Sequence, residues 1–358
     1  MFGKRLGMSA AIALAMLLSS VDAEAAPFYE GKTLTVLINL SAGGPTDIEG
    51  RLVARHLERL IPGQPTIVVK NMTGAGGLVA TNYLGEKAAP DGLTVGFFTW
   101  EPLAQVMERP GLRVKYGDFV LVAGMQSNQL TFIRKDVPPG ISKPADIATA
   151  SEFRFAGLDV TSTIDLQGRM ALDLLGVKYR YVTGFQGLAK ARAAVVQNEA
   201  QMGHDSLPGY FGAVKPALID TGIAIPLYQY GVADDKGGIK RSPGLPDVPT
   251  FLDLYQQIYG KPATDEQATL LTQFVRFVVR MNRTIFLPEG TPDEAVSAMR
   301  DAFVRLASDK EFLDEYRKTI HADPVIITVA EGETAIEEIS APDPKLVAFV
   351  ERYVDSAK

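Results

Sequence analysis

From Gly31 onward the chain repeats one unit, a short β-rich run, a glycine loop and a helix, and that repetition limits its fold more than any other feature. Residues 33–39 read as a strand and 41–44 as a loop. Residues 47–60 place Val53, Leu57 and Leu60 on one helical face, with Arg51, Arg55 and Arg59 in a stripe on another. Thr46 and Glu49 have the spacing of a capping box at the start of that helix. A second unit follows, with a strand at 66–70, a loop at 73–77 and a helix at 78–88. Pro90, Asp91 and Gly92 then turn the chain into a third strand at 93–98. The pattern restarts with a strand at 153–156, a helix at 164–175, a strand at 178–182, a loop at 183–187 and a helix at 188–198. Residues 202–206 read as a strand end. Residues 233–249 are turn-rich and read as a surface loop, and the last third reads as mainly helical, with capping boxes at 291–294 and 308–311. Strands alternating with helices pack as an α/β fold, a mainly parallel sheet flanked by helices. Two such runs in one chain suit two lobes around a cleft lined by strand C-termini and helix N-termini.

The N-terminus has the order of a secretory signal. Lys4 and Arg5 precede an apolar run from Leu6 to Val21, and Ala23 and Ala25 then stand two apart, so cleavage is expected after Ala25. The apolar run is shorter than the roughly 20 residues a membrane-spanning helix needs. About 330 residues would remain, a length that favours two domains. The cysteine count is 0, which removes thiolate metal sites, cysteine nucleophiles and a lipid-modified N-terminal cysteine. The formal net charge of -6, with no basic block, makes the chain a poor nucleic-acid binder.

Ser41, Ala42, Gly43 and Gly44 lie between a strand and a helix, where glycines let backbone N–H groups approach a ligand and the helix N-terminus adds partial positive charge. Thr73, Gly74, Ala75, Gly76 and Gly77 repeat the arrangement one unit later. Neither loop holds Lys or Arg, so an anion here would be held by backbone amides and the Ser41, Thr46 and Thr73 hydroxyls. The same glycines also serve simple tight turns, and local sequence leaves both readings open. Asp47 in the first helical turn favours the macrodipole, and the sharper reading has it meeting a ligand cation. Trp100, the single tryptophan, follows the third strand at the end expected to face the cleft, where it would either close over a ligand or fill a lobe boundary. Phe185 has the same two readings from the other lobe.

Enzyme readings find little support. Gly74-Ala75-Gly76-Gly77-Leu78-Val79 has Val79 where a dinucleotide fingerprint needs its third glycine, and Gly31-Lys32-Thr33 precedes a strand where a P-loop follows one. There is no G-x-S-x-G elbow and no H-E-x-x-H motif. Of three histidines, His56 reads as a surface or boundary residue, His321 as structural, and His204, beside Asp205 and Ser206, as a candidate for the cleft. Those three adjacent strand residues cannot converge as a triad, because side chains alternate faces. No metal site or cofactor is expected.

The stretch SAGGPTDIEGRLVARHLE from Ser41 resembles the first ligand loop and helix of the Bug-type solute receptors of tripartite tricarboxylate transporters. NMTGAGGLVATNYLGEKAAPDGLTVG from Asn71 resembles their second loop and helix, and YRYVTGFQG, LPDVPTF and FLPEGTP follow in the family's order. Leu40 and Met72 depart from the residues common at those positions. The resemblance implies a periplasmic, two-lobed, type II-like binding protein that closes as a monomer on a small carboxylate (a di- or tricarboxylate, an amino acid or an aromatic acid) and delivers it to membrane subunits. It implies a signal peptide over 1–25, a first lobe from 26–129 with 231–358, and a second lobe over 130–230. It also points to Ser41, Gly43, Gly44, Thr46, Asp47, Thr73, Gly74, Ala75 and Gly76 in the first lobe. In the second it points to Thr163 within 161–165, to Thr183, Gly184 and Phe185, and to Asp205. The alternatives are a secreted α/β enzyme acting on a carboxylate or ester, and a periplasmic sensory receptor.

Overall fold

The computed structural model describes residues 26–233 and 238–355, so the signal-peptide reading over 1–25 lies outside the described residues. Two mixed sheets organise the chain. The first runs in the order β13-β4-β12-β3-β1-β2, from β1 (Thr33–Ile38), β2 (Thr66–Asn71), β3 (Thr94–Thr99), β4 (Val120–Met125), β12 (Arg283–Leu287) and β13 (Ile326–Ile327). The second runs β7-β6-β8-β5-β9, from β5 (Gln129–Arg134), β6 (Phe153–Ala156), β7 (Tyr179–Val182), β8 (Met202–Ser206) and β9 (Ala224–Gln229). A small antiparallel hairpin joins β10 (Val232–Ala233) to β11 (Ile239–Lys240).

The α/β units read from the pattern form the parallel parts: β1 pairs with β2 and β3, and β6 with β7 and β8. The strands the pattern did not signal are the antiparallel ones. β4, β12 and β13 extend the first sheet, and β5 and β9 the second. Both sheets are therefore mixed. The chain passes from the first to the second within three residues, 126–128.

The helices bury one face each. In α1 (Pro45–Leu60), Leu52, Val53 and Leu57 enter the core while Arg51, Arg55 and Arg59 line the outer side. The capping box expected there does not form: Gly44 is the N-cap, Thr46 bonds Thr99, and Glu49 turns inward to Arg283. Nor does Thr291 cap the helix Asp293–Leu306, whose N-cap is Pro292. The helix Lys310–Ile320 is capped by Asp309, one residue after Ser308. The turn-rich stretch near 240–249 is less superficial than its composition suggests, because Ser242, Leu245 and Val248 are buried. Phe251, Leu254, Leu271, Phe274, Val275, Val350 and Val354 share one core with Phe155, Leu166 and Met170 of the second sheet's layer. Several C-terminal helices thus pack on the second sheet although β12 and β13 belong to the first.

Candidate functional site

The C-terminal ends of β1, β2 and β3 meet at one edge, and Asn39 ties two of them together. Its Nδ2 donates to the Thr99 carbonyl at 2.9 Å, and its Oδ1 accepts from Thr99 N at 3.0 Å. A Cβ on Gly77 would lie 2.5 Å from Asn39 Nδ2, and Gly77 has φ 102°, so the second loop passes over β1 only with glycine there. Asp47 shapes the first loop. Its Oδ2 accepts from Gly43 N at 2.9 Å, and its Oδ1 accepts from Arg51 Nε at 2.8 Å and Asn71 Nδ2 at 2.9 Å. That carboxylate already has three partners within its own sheet layer. Thr46 Oγ1 lies 2.6 Å from Thr99 Oγ1, facing the same floor. Thr73, Gly74 and Gly76 are half-buried and Ala75 is exposed; Ala75–Gly77 form a short 3-10 turn before α2 (Leu78–Glu86), and α3 (Pro102–Val106) follows β3.

Elements of the second sheet close over this edge. α4 (Thr163–Leu174) and α5 (Leu188–Val196) both present their N-termini, and Leu158, Ile164, Leu188 and Phe185 pack as a small apolar cluster between them. Thr183 Oγ1 and Gly184 N both donate to the Leu158 carbonyl, at 2.9 and 3.0 Å, which fixes the 183–187 loop. That loop touches the 41–44 loop. A Cβ on Gly187 would fall 2.4 Å from Ser41 Oγ, and a Cβ on Gly44 would come 4.0 Å from Ala189 N. Arg192 on α5 spans the gap, donating at 2.8 Å to Asp205 Oδ2 and at 2.9 Å to the Gly43 carbonyl. Asp205 is buried, and burial pushes its carboxyl up against the opposing pull of Arg192.

Glu101 is a further bridge. It follows Trp100 at the end of β3, is 3% exposed, and its Oε2 accepts from both Thr163 N and Thr163 Oγ1 at 3.0 Å. Burial drives its carboxyl up to about 7, more than the two Thr163 bonds pull it down. Beneath the floor, Arg283 donates from Nε to Glu49 Oε2 at 2.9 Å, from Nη1 to Thr99 Oγ1 at 3.2 Å and from Nη2 to Ser206 Oγ at 3.0 Å. Tyr316 hydroxyl donates to the other Glu49 oxygen at 2.6 Å. Burial raises the Glu49 carboxyl, with Arg283 and Tyr316 opposing.

The remaining expectations sort by environment. Trp100 lies in the core against Tyr116 and Phe277, at ring distances of 6.1 and 5.8 Å, and its buried Nε1 has no protein partner. Ser41 Oγ is likewise buried and unpartnered. His204 is enclosed, with Nε2 2.8 Å from Asp165 Oδ1. Burial opposes ionisation of Asp165, but His204, the Ser162 hydroxyl and the Asp159 N–H hold its carboxyl below the usual range. His56 is buried too, with Nε2 2.7 Å from Glu315 Oε2, because α1 packs against the helix Lys310–Ile320. His321 caps that helix in a left-handed conformation and lies against Phe211. Among the described residues no group of three His, Asp or Glu side chains could hold a metal ion, and no helix is long and apolar enough to cross a membrane. A cavity of about 150 Å³ lies away from the glycine loops, where Asn128, Leu207, Val279 and Tyr316 meet beside the inter-sheet crossing.

Sequence reading missed Asn39, Glu101, Arg192 and Arg283. Glu101 shares the strand-end position that singled out Trp100, whereas Arg283 sits on a strand the alternation did not reveal.

The fold is that of solved periplasmic binding proteins. BugD, a periplasmic binding protein, superposes with a TM-score of 0.62 at 20% identity, covering 92% of this chain and 96% of its own. MatC from Rhodopseudomonas palustris, solved with malate, gives 0.63 at 21% identity, covering 92% and 99%. A second R. palustris protein, solved with adipate, gives 0.67 at 20% identity, covering 91% and 97%. In sequence, a UPF0065 protein from the ttuE-ttuC' intergenic region of Agrobacterium vitis is 29% identical over 237 residues, 64% of this chain and 63% of that protein. Protein BugT of Bordetella pertussis is 36% identical over 84 residues, 24% of each chain. The matches thus span less than two thirds of either relative's length. No family model matches the chain. The chain is thus similar over part of its sequence to UPF0065 and Bug proteins, and it shares the fold of BugD and of a TctC solute-binding protein from Polaromonas.

Proposed function

We propose that this chain is a periplasmic solute-binding protein, not an enzyme, that captures a small carboxylate between two lobes and presents it to membrane subunits of a tripartite transporter. The observation that carries this reading is the contact of the 41–44 glycine loop with the 183–187 loop and Arg192 of the other sheet, while the 73–77 glycine loop passes over the same strand ends at Asn39. Ser41, Gly43, Gly44, Thr46, Thr73, Gly74, Ala75 and Gly76 would receive the carboxylate through backbone amides and hydroxyls, the donors that suit an anion which must later be released. Trp100 Nε1 and Ser41 Oγ, buried without protein partners, are further donors that a bound acid could satisfy. Asp47 would hold the first loop open to the ligand. Gly184 and Phe185 would complete the site from the second lobe, with Thr183 fixing their loop, Thr163 acting through Glu101 and Asp205 through Arg192.

The lobes would be 26–129 with 231–358, and 130–230, with helices from 251–280 and 344–355 packed across that division. Closure around the crossings at 126–128 and near Tyr230 would be stabilised by ligand, by shared contacts of the Arg192 and Glu101 kind. Malate and adipate, found in the two R. palustris relatives, support a carboxylate as the ligand class. The test is a thermal-shift screen of the secreted form against aliphatic, hydroxy, amino and aromatic acids. An acid at 100 times its dissociation constant adds about 2.7 kcal/mol. A selective rise that disappears in Thr73→Phe supports the reading, and no rise with any acid refutes it.

A further inference from the structure

We propose that Glu101 restricts the ligand to one carboxylate, by already filling the position where the second lobe would receive another. This inference rests on the carboxylate-binding reading above.

α5 begins against the 41–44 loop, and the N-terminus of α4 is the second lobe's next donor-rich end, since Ile164 packs with Phe185 and Leu188 behind Gly187. Its first N–H and first hydroxyl, both from Thr163, are spent on Glu101 Oε2. Glu101 comes from the other side of the cleft, at the N-cap of the short helix Pro102–Val106. A carboxylate of the protein thus occupies the place a ligand's remote carboxylate would take at a helix terminus. The charged side chains around that terminus are already paired. Asp165, in the first turn of α4, already accepts from Leu158 N, Asp159 N and Ser162 Oγ. Arg109 pairs with Asp159 at 3.1 Å, and Arg192 with Asp205. Glu101 is enclosed, so solvent screens it little. A ligand with a neutral or donor-bearing far end meets an acceptor there, and a dicarboxylate meets a like charge.

The experiment uses pairs that differ only in charge at one end: succinate with succinamate, adipate with adipamate, and terephthalate with terephthalamate. Each is titrated calorimetrically into the wild type and Glu101→Gln at pH 8. The wild type should bind the monoamide of at least one pair tenfold or more tightly than the diacid, a difference of about 1.4 kcal/mol. Glu101→Gln, which keeps an acceptor for Thr163, should bring that ratio below about threefold. Equal or tighter binding of the diacid by the wild type overturns the role of Glu101 and leaves the carboxylate reading standing. An unchanged ratio in the variant does the same. If no compound of either kind binds, both fall together. The wild-type preference is measurable even if the variant does not fold.

Discussion

Replacing Arg283 by Leu should destabilise the protein severely, and the structure sets the size. Glu49 is 0% and Arg283 1% exposed, and their 2.9 Å contact is reinforced by the Tyr316 hydroxyl on the second carboxylate oxygen. Removing the guanidinium leaves Glu49 buried with one neutral donor, and breaking such a buried pair costs about 3–5 kcal/mol. Ser206 and Thr99 also lose a donor. Glu49 can limit the loss by taking up a proton. Its carboxyl is already raised by burial, and without Arg283 it would rise further, so the variant binds a proton the unfolded chain has released. The deficit should therefore widen as pH rises from 5 to 8, by up to about 1.4 kcal/mol per pH unit while Glu49 stays protonated in the folded state. Urea unfolding of wild type, Arg283→Leu, Glu49→Leu and the double variant at both pH values forms the cycle. The double variant should recover at least half of the single loss, because it buries no orphan charge. A cost below 1 kcal/mol for Arg283→Leu, or a double variant less stable than either single one, refutes the reasoning.

Three further outcomes follow from the site. Because burial lifts the Glu101 carboxyl from 4.5 to about 7, the folded state holds a proton that the unfolded state has lost in that window. Glu101 thus favours folding fully below about pH 4.5 and loses up to about 3 kcal/mol as pH climbs through 7, and that part of the pH profile should be flat in Glu101→Gln. Asp47→Ala removes the acceptor that holds Gly43, Asn71 and Arg51, and should cost about 1.5–3 kcal/mol in urea unfolding together with at least tenfold in ligand affinity. Gly187→Val places a side chain on Ser41 at a residue with φ 123°. It should weaken ligand binding tenfold or more by calorimetry, through obstructed closure.

Much of the fold was legible because its parallel half is local. Each βα unit carries its own period change and glycine punctuation, so β1 to β3 and β6 to β8 could be read within a few residues. The antiparallel strands could not. β12 is buried in all five residues and shows no alternation, and it finds its place between β3 and β4 only through partners some 160 or more residues away. Capping boxes misled for a related reason: Glu49 has the right spacing, but a buried arginine from β12 outbids its own helix terminus. At the site, the glycine loops were visible because backbone geometry writes itself into composition. Glu101, Arg192 and Arg283 act through partners distant in sequence, Thr163, Gly43 and Glu49, and no local pattern records which group will meet which.

A binding protein of the proposed kind holds its carboxylate and releases it unchanged. Calorimetric titration with the acid that gives the largest thermal shift, followed by proton NMR of the same solution, tests it most directly. One saturable site per chain, binding lost in Asp47→Ala, and an NMR spectrum of the recovered acid identical to the input are expected. Absence of saturable binding by every acid, or a new compound accumulating in the spectrum, would contradict it.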